Sequence, residues 1–422
     1  MISTAHAEPA EGEAFSTSGD TVDIVVVGAG ILGLTTARRL QRESPDARIL
    51  VLEKEAEVAR HQTAHNSGVV HAGVYYRPGS LKALLCRQGA QQLREYCVDR
   101  GIQYQECGKL IIAVRERELP ELEAVYHRGT ANGVPGLRRI ASHEITEIEP
   151  HATGIAAIHS PATAIVDFPA VCRSLKAEIT AAGGAVITGA EVTGFRHLGT
   201  AVEVSTTHAR VGGVRCGQVI VAAGLQSDRL ATLAGDAPAP RIVPFRGIYY
   251  RLHHDRTQLV KGLIYPVPDP RYPFLGIHLT RTVGGEVLVG PNAVLALDRA
   301  GYGRRLSARW RDVAAIASWP GAWSMARQHW KTGGIEMARS MSKRLFVREA
   351  GRYVPALTAS DVQPAGDGIR AQAVGRAGNL LDDFVITQVR RVVNIRNAPS
   401  PAATSSFAIA DYVVDHLRDV SG

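Results

Sequence analysis

No stretch of this 422-residue sequence is both long and uncharged enough to cross a bilayer, and the apolar run at 24–37 is broken by three glycines. Cysteine is scarce. The five residues Cys86, Cys97, Cys107, Cys172 and Cys216 are odd in number and form no C-x-x-C pair. That argues against a disulfide framework and a zinc knuckle, and fits a reducing compartment. There is no basic block. Lys plus Arg is 48 against 40 Asp plus Glu, and the net charge of +8 is spread along the chain, so a nucleic-acid partner is not expected. No triplet or heptad period is present, which excludes collagen-like and coiled-coil architectures. Residues 1–20 are small, polar and acidic. They lack the basic start and apolar stretch of a secretory leader and read as a disordered tail.

What remains is an ordinary globular composition, 45% hydrophobic and 21% charged. The length gives a prior of two to three domains at about 150 residues each.

The most informative segment lies near the start. An apolar, β-branched strand, DIVVVG at 23–28, runs into GAGILG at 28–33, then a helical stretch, then a second strand, RILVLE, ending at Glu53. Each part has a task. Gly28 allows the tight turn, Gly30 lets the backbone approach a diphosphate, and Gly33 lets the helix pack on the strand. The helix N-terminus offers free N–H groups and a partial positive charge to phosphates. Glu53 follows Gly33 at the interval where a carboxylate binds ribose hydroxyls and repels a 2′-phosphate.

Three further segments distinguish a nicotinamide from a flavin. The loop HQTAHNSGVVHAGVYYRPGS at 61–80 is too long for a plain connection. QVIVAAGLQSDRLA at 218–231 is a buried strand entering a second glycine turn. RNAPSPAATSSFAIADYVVDHL at 396–417 is a Pro/Ser turn capping an amphipathic helix. Three separated approaches suit an extended flavin dinucleotide, FAD, held along its length.

With these strings in view, HNSGVVHAGVYYRPGSLKA, CGKLIIAV (107–114), IVPFRG (242–247), IYPVPDPRYPFLGIHLT (264–280), GPNAVLA (290–296), GIRAQAV (368–374) and RNAPSPAATSS (396–406) resemble the L-2-hydroxyglutarate dehydrogenase/oxidase family. That family belongs to the D-amino-acid-oxidase-like FAD proteins. The resemblance runs from about residue 22 to the C-terminus. One departure is Ala64, where the family carries glycine.

The resemblance implies an α/β fold in which a Rossmann-like FAD-binding domain is interleaved with a mixed-sheet α+β substrate domain. The FAD pieces are expected at 21–100, 160–234 and 360–422, and the substrate domain at 101–159 and 235–359. It further implies non-covalent FAD, oxidation of (S)-2-hydroxyglutarate to 2-oxoglutarate, and electrons passed to quinone or O2. The expected location is the cytoplasm, with at most peripheral contact at the inner face of a membrane. Another member of the superfamily, oxidising an amine, an amino acid or glycerol 3-phosphate, is the alternative.

Independent of the family, GDAPAPR at 235–241 marks a break, and the four prolines of 261–281 read as edge strands and turns lining a pocket. Residues 305–331 read as helices split at Pro320–Gly321, with tryptophans used for packing.

Such a reaction needs a base for a hydroxyl and cations for two carboxylates, but no metal. His71, in the glycine-rich loop, is the first choice for the base, with positioning of the flavin as its other role. His278 is the second candidate base, and His65 is read as a loop or flavin contact. The 61/65/71 histidine spacing has no helix to align it for a metal. Arg246 and Arg370 are the carboxylate candidates, since a guanidinium fork matches a carboxylate. Lys109 would neutralise a carboxylate or the flavin edge. Tyr250 and Tyr265 are candidate hydrogen-bond donors. Ser67, Gly68, Gly224, Asn397 and Ser400 are expected to contact the cofactor.

Overall fold

The computed structural model describes residues 21–269, 276–303 and 307–419; the expected tail at 1–20 lies outside them. The β-branched run Thr21–Val27 forms the central strand of an eight-stranded sheet. It pairs in parallel with Ile49–Leu52 on one side and Gly213–Val221 on the other. All four residues of Ile49–Leu52 are buried, as expected for a strand covered on both faces. Ala185–Ile187 extends the sheet beyond Ile49–Leu52, and Val392–Asn397 pairs in parallel with Gly213–Val221. The first and last parts of the chain therefore share one sheet. The helix Ile31–Glu43 seals this arrangement by packing on the C-terminal helix Ser406–Asp419. There Thr35 donates to the Ser406 carbonyl at 3.1 Å and Arg39 pairs with Asp411 at 2.8 Å.

A second sheet, with nine strands among the described residues, is built on the long antiparallel ladder between Arg241–Leu252 and Val362–Val374. It includes Lys109–Ala113, Ala156–Ser160 and His278–Arg281. A small third sheet joins Val69–Val70, Tyr104–Glu106 and Ala164–Val166.

Three expectations are corrected here. The chain does not return to the first sheet at 360, because Val362–Val374 pairs along the whole of Arg241–Leu252 and rejoins only later. Leu263–Pro266 is an interior strand, between Lys109–Ala113 and His278–Arg281, with its proline at the last position. The helices of 307–341 are Trp310–Ala317 and Pro320–Met341, the latter kinked at His329 (φ −116°), so the break comes just before Pro320. Pro320 opens the second, where its missing N–H costs nothing.

The tightest backbone crossing lies at the glycine turn. Gly28 has φ +102°, and a Cβ at Gly33 would sit 1.8 Å from the Gly28 carbonyl oxygen. Gly33→Ala is therefore expected to destabilise the protein by about 3 kcal/mol or more, since backbone must move. Gly183→Ala, at an open turn with φ +87°, should cost about 1 kcal/mol. Thermal or denaturant unfolding of the two variants checks the contrast.

Candidate active site

A single cleft of about 1600 Å3 runs from the ends of the parallel strands to the second sheet. At one end it is lined by Gly28, Gly30, Ile31, Leu32 and Glu53, and by Ala222–Ser227 with Gly224. Gly30 caps the helix without a side chain of its own; the Ile31 N–H donates to the Thr63 hydroxyl at 3.2 Å, and Gly30, Ile31 and Leu32 present the helix start to the cleft. Glu53 is buried. Its carboxylate accepts from the Ala29 N–H at 2.7 Å and the Glu55 N–H at 3.0 Å, which orients it beside the turn. Gly33 and Gly68 do not line the cleft. Gly33 holds the helix against the turn, and Gly68, with φ +71°, shapes the loop where a Cβ would meet the Val166 carbonyl at 2.9 Å.

The three distant segments converge on this cleft. Ser67 and His71 from the loop, Gly224 from the second glycine turn, and Asn397, Ser400 and Thr404 from the C-terminal turn all line it. Loop and C-terminal turn are tied directly, since the His71 N–H donates to the Thr404 hydroxyl at 3.1 Å. Ala64 is exposed and, unlike Ala59, has no left-handed backbone, so the loop tolerates an alanine there.

At the far end, His71, His278, Arg370, Tyr75, Tyr249 and Tyr265 line the cleft together. His278 is stacked on Tyr265, with ring centroids 4.0 Å apart. Its Nδ1 lies 3.0 Å from the Gly276 carbonyl, which can only accept, so Nε2 keeps the lone pair. Burial, helped by the Lys109 charge, brings His71 down to about 3. Burial, against the pull of the Gly276 carbonyl, and with Arg370 and Lys109 nearby, brings His278 to about 3. Both imidazoles are therefore neutral proton acceptors. Arg370 engages the Tyr249 hydroxyl. Lys109 lies behind the lining, with its ammonium 4.6 Å from the Tyr75 ring centre and 5.1 Å from that of Tyr265. Burial lowers it to about 8.

Arg246 is a correction. It is buried, pairs with Asp367, and donates to the carbonyls of Gly301 and Gly303 at 2.5 and 2.6 Å. Its neighbours Gly247 and Tyr249 line the cleft, whereas the Arg246 guanidinium is taken up by Asp367 and anchors the 301–303 segment. Tyr250 likewise belongs to the core, edge-on to Phe346, and its neighbour Tyr249 takes the place in the cleft. The ladder has a register shift between these two residues, which no alternation pattern in the sequence reveals. Of the loop histidines, His61 bonds Glu55 at 2.7 Å and lies tilted against Tyr302, on which His65 stacks at 3.9 Å. Among the described residues no cluster of His, Cys, Asp or Glu could hold a metal ion.

These observations fit a flavin dinucleotide. The cleft has a helix N-terminus and a fixed carboxylate at one end. Two buried atoms of its lining, Asn397 Oδ1 and His71 Nδ1, have no hydrogen-bond partner within the protein.

The placement of Arg246 yields a prediction. Arg246→Met should cost about 3–5 kcal/mol in unfolding free energy, because it strands the buried Asp367 carboxylate. The double variant with Asp367→Asn should recover most of that loss, and KM in the surviving enzyme should stay near the parent value. A tenfold rise in KM in the double variant would return Arg246 to the binding pocket.

Residues 23–416 match the family model described as FAD dependent oxidoreductase. Human mitochondrial L-2-hydroxyglutarate dehydrogenase is 44% identical over 424 residues, covering 97% of this chain and 91% of that protein. The L-2-hydroxyglutarate dehydrogenase of Escherichia coli strain K12 is 41% identical, covering 94% of this chain and 93% of the relative. The solved L-alpha-glycerophosphate oxidase of Mycoplasma pneumoniae, with FAD bound, has a similar fold. Its TM-score is 0.77 at 21% identity, over 94% of both chains. Glycine oxidase from Geobacillus kaustophilus gives 0.70 at 18% identity, over 94% of both chains. The chain belongs to the FAD-dependent oxidoreductase family and groups within it with the L-2-hydroxyglutarate dehydrogenases.

Proposed function

We propose that this enzyme oxidises (S)-2-hydroxyglutarate to 2-oxoglutarate with FAD. The observation that carries the reading is the meeting of two neutral imidazoles and one guanidinium at the end of a cleft whose other end is built for a dinucleotide. The relatives named for this substrate, at 41–44% identity over nearly the whole chain, support it.

In this reading the Gly28–Leu32 turn and the helix behind it hold the diphosphate, and Glu53 holds the adenosine ribose. Gly224, Ser67, Asn397 and Ser400 hold the flavin half. When bound, FAD would supply the two-electron oxidant for the C2 hydrogen. His71 or His278 takes the hydroxyl proton; each is already neutral, so no prior deprotonation is required. Arg370 holds the carboxylate beside the reacting carbon, oriented by Tyr249. Lys109 supplies positive potential through the Tyr75 and Tyr265 rings for the second carboxylate. The electrons leave to a quinone or to O2. We place the enzyme in the cytoplasm with peripheral contact at a membrane. The free and mostly buried cysteines fit a reducing compartment.

The direct test is anaerobic reduction of the yellow holoenzyme. The L enantiomer should bleach the flavin and the D enantiomer should not. Bleaching by glycine, sarcosine or glycerol 3-phosphate alone would overturn the substrate. Arg370→Lys should lower kcat/KM about 100-fold, because a point charge replaces a bidentate fork.

The pH profile follows from the same groups. Lys109 is charged below about 8 and neutral above it, so kcat/KM for a dianion should fall as pH rises through that value. Acidification from neutrality leaves both imidazoles neutral until the pH nears about 3. Lys109→Met should abolish the alkaline limb and raise KM about tenfold, as loss of ~1.4 kcal/mol would.

A further inference from the structure

The tryptophans expected to serve packing mostly do not. Of the four in the protein, only Trp319 is buried; Trp310, Trp323 and Trp330 are 76, 59 and 68% exposed. They lie on the consecutive helices Trp310–Ala317 and Pro320–Met341, together with exposed Val313 and Met337. Exposed Leu297 adjoins them, since its carbonyl accepts from the Arg309 N–H at 3.0 Å. Scattered single apolar side chains on a surface need no explanation, but of the twelve large apolar side chains exposed among the described residues seven fall between Leu295 and Met337, a concentration that marks a contact surface.

The exposed charges on these helices are of one sign. Among the described side chains of 307–337, the exposed charged ones are Arg309, Arg311, Arg327 and Lys331. The two acids of the segment are withdrawn. Asp312 is buried and paired with Arg229, and half-buried Glu336 accepts from the Ala293 N–H. Tryptophan interleaved with Arg and Lys, and without exposed acid, is the chemistry of a surface lying in the headgroup layer of an anionic bilayer. The indole rings take the apolar boundary and the cations meet lipid phosphates. The patch also adjoins the cleft, because Trp310 and Arg311 belong to both.

We propose that helices Trp310–Ala317 and Pro320–Met341 dock this enzyme on the surface of an anionic phospholipid bilayer. The cleft is thereby held where lipid-soluble electron acceptors reside. This extends the peripheral-membrane part of the proposed function. The binding assay reads neither substrate nor turnover, so its failure and that of the substrate assignment are separable.

The experiment is flotation of FAD-loaded full-length enzyme with vesicles of phosphatidylcholine alone or mixed with phosphatidylglycerol. The parent should float with the mixed vesicles and lose binding as salt rises. Two double variants, Trp323→Ser with Trp330→Ser and Arg327→Glu with Lys331→Glu, should each bind about tenfold more weakly or worse. Their turnover with a soluble dye should match the parent. Intrinsic tryptophan fluorescence of the parent should shift to the blue on mixed vesicles, a readout that needs no variant. Parent enzyme that stays at the bottom with both vesicles, or variants that float like the parent, would overturn the proposal. So would a parent dimer that the variants dissolve without any change in vesicle binding, since the face would then belong to a second copy of the chain.

Discussion

The cleft depends on the crossing of two turns. The strand Thr21–Val27 ends at Gly28, whose N–H donates to the Leu52 carbonyl, while the Ala222 N–H donates to the Val27 carbonyl. A Cβ at Gly28 would lie 2.6 Å from the Ala222 oxygen. Both turns thus sit at the same end of the parallel sheet, where strand ends and helix starts leave backbone groups available to a ligand. Because Val392–Asn397 pairs with Gly213–Val221, the C-terminal turn is delivered to the same edge. Residues more than three hundred positions apart in sequence, His71 and Thr404, then touch.

The electrostatics of the far end follow from which cations are neutralised by protein and which are not. Arg246 is neutralised by Asp367 and by two carbonyls, so its charge is consumed in holding the fold. Lys109 has no carboxylate contact among the described residues and rests against two aromatic faces. Burial first, and then the Lys109 field, keeps His71 and His278 uncharged, with Arg370 adding to the effect on His278. The same burial and cations that leave these imidazoles free of a proton at neutral pH also weaken them as bases, so proton transfer to either one relies on its placement beside the substrate hydroxyl.

Much of this was legible in the sequence wherever the determinant was local. The strand, glycine turn, helix and Glu53 follow each other within a few dozen residues, and each obeys a short-range steric rule. The three cofactor-facing segments could be found because each pairs an apolar strand or loop with a Gly- or Ser-rich turn. What escaped was the facing of side chains on the second sheet. Tyr249 rather than Tyr250 enters the cleft, and Arg246 turns to Asp367 and the 301–303 segment instead, choices set by which face of the strand the rest of the fold covers. The domain boundary near 360 failed for a related reason, since pairing of Val362–Val374 with Arg241–Leu252 is a long-range choice. The tryptophans were misjudged because composition cannot say which face of a helix stays uncovered.

The central claim is that the imidazoles and Arg370 together address one hydroxy acid. The most direct measurement is a crystal structure of the FAD-loaded enzyme with 2-oxoglutarate bound. One product carboxylate should be held by Arg370, and an imidazole nitrogen of His71 or His278 should lie within about 3 Å of the C2 oxygen. A product whose carboxylates avoid Arg370, or whose C2 oxygen is out of reach of both histidines, would contradict it.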